Sequence, residues 1–223
     1  SQSIWHFQHT FFSFYKKNKR DLPWRNTTDP YFILLSEVML QQTQVERVKE
    51  YYLRWITEWP TLEDFACAQR TDVLKAWLGL GYNKRAVSLY RAVQIIIEKY
   101  HGDILLAMEH YDELPGLGPY TASAVRIFSI NDSIAAIDTN IRRILMHEFQ
   151  LPSTVSTQFL QKLAERCLPR EKSRDWHNAL MDYGALVLTS RKTGIRPKTK
   201  QSRFQGSNRQ IRAQLLRFFL DRK

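Results

Sequence analysis

Long apolar runs are missing from this sequence: no stretch approaches the ~18 consecutive apolar residues that a membrane-spanning helix needs. The N-terminal SQSIWHFQHTFFSFYKK lacks the order of basic region, apolar stretch and small-residue cleavage site that marks a signal peptide, so the expected location is intracellular, in cytoplasm, nucleoid or nucleus. Cysteine is scarce. The two present, Cys67 and Cys167, stand in unrelated helical contexts, which excludes a disulfide framework or a CxxC-type metal site and leaves both as packing residues. Alternating runs long enough for a strand are absent, as are fixed-period repeats. Acidic residues are outnumbered, 22 against 33 Lys and Arg, for a formal charge of +11. A chain so basic attracts polyanions, nucleic acid first and an anionic membrane surface second.

What remains is a helical pattern with ample core. In 223 residues, 43% are hydrophobic and six are Trp. Apolar periodicity places helices over about 3–18, 31–46, 47–59, 61–68, 71–77, 83–100, 104–111, 119–130, 138–149, 155–167, 172–190 and 207–221, so the expected fold class is all-α. Basic charge concentrates near the end: residues 191–217 hold nine Lys or Arg and no Asp or Glu, denser than an ordinary solvated face.

Two stretches carry chemistry. In SEVMLQQTQVERV (36–48), a single helix would align Glu37, Gln41 and Gln44 on one stripe beside the aliphatic Leu34, Leu35, Val38, Val45 and Val48, setting a carboxyl at the rim of a core. In DELPGLGPYTASAV (112–125), a helix ends at Leu114, Pro115 and Gly116 turn the chain, Gly118 lets the backbone run close to a partner, and Pro119 suits the first position of the next helix. Open N–H groups at such a helix start suit a phosphate diester, although the same pattern also serves as a plain αα-corner.

LPGLGPYTASAV, followed from residue 134 by IAAIDTNIRRIL, resembles the helix-hairpin-helix and Gly/Pro-Asp region of the endonuclease III-like DNA glycosylase superfamily. SEVMLQQTQVERV, LPWR (22–25), GLGYNKRAVSL (79–89) and HNALMDYGAL (177–186) are most similar to A/G-specific adenine DNA glycosylases. The resemblance implies a two-lobed fold with a DNA-facing cleft: a six-helix module over 22–130 with the hairpin, and a second lobe from 1–21 and 131–223. It implies Glu37 as the acid that protonates a ring nitrogen of adenine, work for which a carboxyl must keep a proton near neutral pH, as partial burial favours. Asp138 would remain ionised at a helix start and stabilise the sugar cation, or bond briefly to it, as the unequal carboxyls of glycosidases do. Tyr120 stands where bifunctional relatives place the Schiff-base lysine, so strand cleavage by β-elimination is expected to be weak or nil. Asn140 would hold the carboxylate or the sugar, Asp182 would contact the flipped adenine, and Trp24 and Arg25 would line its pocket. Gln42 and Tyr82 match side chains pushed into the duplex where the base has left, beside Gln41. Phosphate contacts would come from Arg85, the hairpin at Leu114, Gly116 and Gly118, and the basic segment at Arg191, Lys198 and Lys200. The implied partner is double-stranded DNA with a mispaired or damaged base, met by a monomer.

The pattern also breaks. Relatives continue with four cysteines, spaced Cys-x6-Cys-x2-Cys-x5-Cys, that bind an iron–sulfur cluster; here Leu188 stands near the first and none of the four is present, so no cluster is expected. Packing of Phe204, Leu215, Leu216 and Phe219 would replace it as a staple, with Arg191, Lys192, Lys198, Lys200 and Arg203 keeping phosphate contacts. A monovalent cation at the hairpin carbonyls, known in relatives, is the one expected ion. The further domain that reads oxidised guanine in such enzymes is not in this sequence, which ends at Lys223. The leading expectation is a monofunctional adenine glycosylase acting at A:8-oxoguanine or A:G. The alternatives are a thymine or uracil mismatch glycosylase of the same fold and a non-catalytic module that binds damaged DNA.

Overall fold

A computed structural model describes residues 3–195 and 203–220, and among these every regular element is helical. Lys198 and Lys200 lie outside the described residues. The chain divides into two compact units, one of Leu22–Val125 with Gln201–Lys223, the other of Ser1–Asp21 with Arg126–Lys200. The segment after residue 200 therefore groups with the hairpin-bearing unit, where the sequence placed it with the other.

In the Ser1–Asp21 and Arg126–Lys200 unit, α1 (Ile4–Asn18) packs on α11 (Ser173–Leu186), which in turn packs on α9 (Thr139–Glu148), and α10 (Thr157–Cys167) lies against α1 and α9. Phe7 and Phe11 of α1 meet Trp176 edge-on at ring separations of 5.6 and 5.9 Å, and Ile141, Ile144, Leu145, Leu160, Cys167 and Leu180 close the core. Gly184 allows the α9–α11 approach, since a Cβ there would lie 2.7 Å from Asn140 Cβ. The helix expected over 172–190 ends at Leu186, and a separate turn, α12 (Ser190–Thr193), follows with Thr189 as its cap.

In the other unit, α2 (Pro30–Leu40), α3 (Val45–Glu58), α4 (Leu62–Ala66), α5 (Arg70–Trp77) and α6 (Lys84–Tyr100) surround an aromatic centre. Trp55 stands edge-on to Trp59, Phe65 and Trp77 with centroids 4.7–5.7 Å apart. α7 (Ile104–Glu109) and α8 (Pro119–Ile130) bracket the hairpin, and the division between the units falls within α8. The single helix expected over 31–46 does not form: α2 stops at Leu40, and Gln44 starts α3 as its N-cap. The cause lies elsewhere in the chain. Arg85 Nη1 takes the carbonyls of Val38 and Met39 at 2.8 and 2.9 Å, and Gln42 turns the chain at φ +58°.

The strandless stretch before α9 is held by side chains, as buried backbone must be. Ser173 Oγ donates to Ile134 O at 3.2 Å, Gln161 Nε2 donates to Ala135 O at 2.8 Å, and Ala136 N–H donates to His177 Nε2 at 3.0 Å. His177 Nδ1 lies 2.7 Å from Ser173 O, so the imidazole is neutral with its proton on Nδ1. Burial lowers the His177 pKa, the Ser173 carbonyl opposing it. The unfolded chain therefore takes up this proton first; the neutral-His contribution is complete above a pH of about 6.5 and is lost as pH falls through the lowered folded value. His177→Gln is predicted to melt lower at pH about 7.5 but to lose less stability than the parent between there and pH about 5; parallel decline in calorimetric melts would contradict this.

Candidate carboxylate site and nucleic-acid interface

Asp138 caps α9. Its backbone is extended, Oδ1 accepts from Ile141 N–H at 2.6 Å, and Oδ2 accepts from Asn140 Nδ2 at 2.9 Å. Asn140 Oδ1 in turn accepts from Arg143 Nη2 at 2.6 Å, and the same guanidinium donates to Gly184 O at 2.8 Å and Leu188 O at 2.5 Å. Asn140 thus stands beside the carboxylate as the resemblance implied, while Arg143 and Gly184, which complete the arrangement, were not picked out from sequence. Their signals were the i, i+3 spacing of Asn140 and Arg143 and a glycine inside a helix.

Opposing effects act on the Asp138 carboxyl. Burial pushes its carboxyl above the ordinary aspartate range, while the Ile141 amide, the Asn140 side chain and amide, and Arg143 pull it down. The cap is real but does not outweigh desolvation. A half-buried carboxylate held in this way gains more than one in water from a cation formed beside it.

Glu37 is 9% exposed on α2, among the buried Leu34, Leu35 and Val38. Tyr120 is partly buried in the first turn of α8. Trp24 belongs to the core of its unit, its ring 5.5 Å from Tyr52 and nearly perpendicular to it, and Arg25 is partly buried beside it in the same 3₁₀ turn. Asp182 is fully buried, and Arg20 occupies both its oxygens, through Nε at 2.6 Å and the backbone N–H at 3.0 Å. It anchors the chain after α1 and is not an open contact for a base.

On the hairpin side, Gln42 (φ +58°) and Tyr82 (φ +49°) both hold left-handed backbone that non-glycine residues rarely adopt, a strain of about 1–3 kcal/mol each. Both line one cavity of about 940 Å³, together with Gln41 and Gly116. Gln41 Nε2 reaches Thr121 Oγ1 at 3.5 Å. Arg85 is not a phosphate contact: besides the α2 carbonyls it donates to Thr43 Oγ1 at 2.9 Å and Gly81 O at 3.0 Å, and burial lowers its pKa to about 10. Its forked guanidinium shapes both loops from within. Leu114 is likewise a core residue, 2% exposed, its carbonyl accepting from Leu117 N–H at 3.2 Å. Gly116 needs to be glycine, because φ is +81° and a Cβ would lie 2.6 Å from Ser88 Cβ. Gly118 differs: an added Cβ meets nothing within 4 Å, so nothing in the fold requires its bare backbone.

Arg191 is exposed on α12. The staple expected from the last segment is not seen, because Phe204, Leu215 and Phe219 are 52–67% exposed and no residue of α13 (Asn208–Leu220) is buried. Nor does the chain after α11 suit an iron–sulfur cluster. Leu188 packs into the core with its carbonyl held by Arg143, no cysteine follows it, and Cys67 and Cys167 sit in different units.

Residues 35–170 match the model of the HhH-GPD superfamily of base excision DNA repair proteins. The chain is 35% identical over 225 aligned positions to an adenine DNA glycosylase of Mycolicibacterium smegmatis, covering 92% of this chain and 77% of that one. It is 35% identical to the adenine DNA glycosylase of Mus musculus over 82% of this chain, but spans only 38% of the mouse protein's length. A solved thermostable thymine-DNA glycosylase superposes with a TM-score of 0.79 at 30% identity, covering 85% of this chain and 89% of that one. If Gly118 is bare for a partner's sake, Gly118→Ala will melt within a degree or so of the parent yet bind duplex DNA more weakly. Gly116→Ala will lose about 1–3 kcal/mol of stability. Unchanged duplex affinity of Gly118→Ala in fluorescence anisotropy would contradict that assignment.

Proposed function

Because the chain belongs to the HhH-GPD superfamily of base excision DNA repair proteins, we propose that it is a monofunctional DNA N-glycosylase that removes adenine mispaired with 8-oxoguanine or guanine. The observation that carries the reading is Asp138: a half-buried carboxylate at a helix start, aimed by Asn140 and Ile141 and backed by Arg143. Such a group is matched to a cation that exists only while the glycosidic bond is breaking.

In this mechanism Glu37 gives a proton to a ring nitrogen of the extruded adenine. The C1′–N bond breaks with its electron pair moving to the base, and the deoxyribose becomes an oxocarbenium-like cation facing Asp138. Water adds at C1′ and loses a proton, leaving free adenine and an abasic site. Tyr120 offers no amine for a Schiff base, so the strand stays intact. Gln42 and Tyr82, held in strained backbone, enter the stack where the adenine has left, and the hairpin at Gly116 and Gly118 receives a phosphate. No step runs through an iron–sulfur cluster, since the residues present do not fit one. The mispaired substrate and a monomeric enzyme are part of the proposal.

The choice of adenine is supported by 35% identity to adenine glycosylases. The likeness to a thymine-DNA glycosylase at 30% identity favours a second reading, release of thymine opposite guanine on the same carboxylates. Single-turnover base release from duplexes carrying A:8-oxoguanine, A:G, T:G or U:G, each followed by alkali to reveal abasic sites, separates the two. We expect adenine release from the first two, reduced by at least about a thousandfold in Asp138→Asn, consistent with losing more than ~4 kcal/mol of transition-state stabilisation. Thymine or uracil release would move the protein to the second reading, and no release from any duplex would overturn both.

A further inference from the structure

The 940 Å³ cavity is bounded on one side by the loops of Gln42, Tyr82 and Gly116 and on the other by α13. Arg47, Lys84, Arg85, Arg209, Arg212 and Arg217 line it, and among the described residues that do so none is acidic. Arg85 is engaged with backbone carbonyls; the other five leave the cavity strongly positive. From α13 the lining positions are 209, 212, 213 and 217, one helical face, while Ile211, Leu215, Phe218 and Phe219 are exposed. Ala213, Leu216 and Leu220 are half-buried on the inward side, while Arg212 and Arg217 stay solvent-exposed at the cavity edge, so part of the apolar surface of the helix is left uncovered and its cations remain open to a ligand. Its placement rests on a polar contact: the Arg209 guanidinium lies 4.9 Å over the Tyr82 ring and donates to its hydroxyl at 2.5 Å.

Like charges gathered on one wall repel one another, and an anion drawn among them relieves the repulsion. Arg209 to Arg217 spans eight residues, about 12 Å of helix axis, over which one strand of duplex DNA places three to four phosphates at ~3.4 Å each. Phe204 and Tyr82 add aromatic faces to the same walls, the mixture of cations and rings that strand-binding grooves use. We propose that α13 is a DNA clamp whose Arg209, Arg212 and Arg217 hold the sugar–phosphate backbone of one strand where Gln42 and Tyr82 enter the duplex. The inference rests on the reading of this face as the one that meets DNA.

The test uses the full chain with Asp138→Asn to prevent turnover and a fluorescein-labelled A:8-oxoguanine duplex, with affinity followed by anisotropy across a salt series. Replacing Arg209, Arg212 and Arg217 together by Gln is expected to weaken binding at least about tenfold near 100 mM salt. The slope of log affinity against log salt should shrink by roughly two to three, and Arg212→Gln alone should remove about one. A control replacing the exposed Lys16, Lys17 and Lys19 by Gln carries the same charge loss and should change the slope by less than about one. An equal effect in the control, unchanged binding, or tighter binding, which would make α13 a shield over the DNA face, would each overturn the clamp. Circular dichroism checks that every variant is folded, and Arg212→Gln still decides the matter if the triple variant is not. Base release by the parent is read separately: its absence would remove the glycosylase reading, while the salt slopes still decide what α13 does.

Discussion

One buried guanidinium organises the carboxylate side of this protein. Arg143 donates to Leu188 O, Gly184 O and Asn140 Oδ1, and Asn140 passes the restraint to Asp138. Its planar fork can reach three oxygens at once because Gly184, lacking a Cβ, lets α11 come close to α9. The carboxylate is thereby fixed from two directions, by its own helix start and by the end of a helix some 45 residues away in sequence. The stretch before it is held just as firmly, by Ser173, Gln161 and His177. Preorganisation of this kind lowers the reorganisation needed when a cation forms, and its cost is a carboxylate kept partly out of water.

A second buried arginine does comparable work in the other unit. Arg85 ends α2 by taking its last carbonyls and ties the 80–81 and 43 positions together, so that the flanking Gln42 and Tyr82 are held in left-handed backbone. Strain at two loop tips lining one positive cavity is the form expected where side chains must be presented to a partner. In both units an arginine that composition alone would assign to phosphate contacts is an internal brace, and the proposed reading gives the phosphate contacts to α12, the cavity wall and α13.

Much of this was legible in the sequence, for definite reasons. Helices such as α6 and α10 were read correctly because apolar periodicity specifies them with little outside help, Ser156 also capping α10. Asp138 and Asn140 were legible through the family resemblance, and the hydrogen bond between them, two residues apart on one turn, agrees with it. The end of α2 was not, since the group that ends it, Arg85, is some 45 positions distant, and a continuous 31–46 helix satisfied every local rule. Asp182 misled for a similar reason: its partner Arg20 lies at the far end of the chain, and an acid on a helix gives no sign of being buried. The outward apolar face of α13 also defied periodicity, which locates an amphipathic helix but does not say which face turns inward.

The central claim is that Arg143 aims the catalytic carboxylate. Its most direct test is the single-turnover rate of adenine release, at saturating enzyme, for Arg143→Gln and Arg143→Lys, each shown to be folded by circular dichroism at the assay temperature. The account predicts a loss of at least about tenfold in both, because neither side chain reproduces the three-way fork, with duplex affinity little changed. A folded Arg143→Gln that releases adenine at the parent's rate would contradict it.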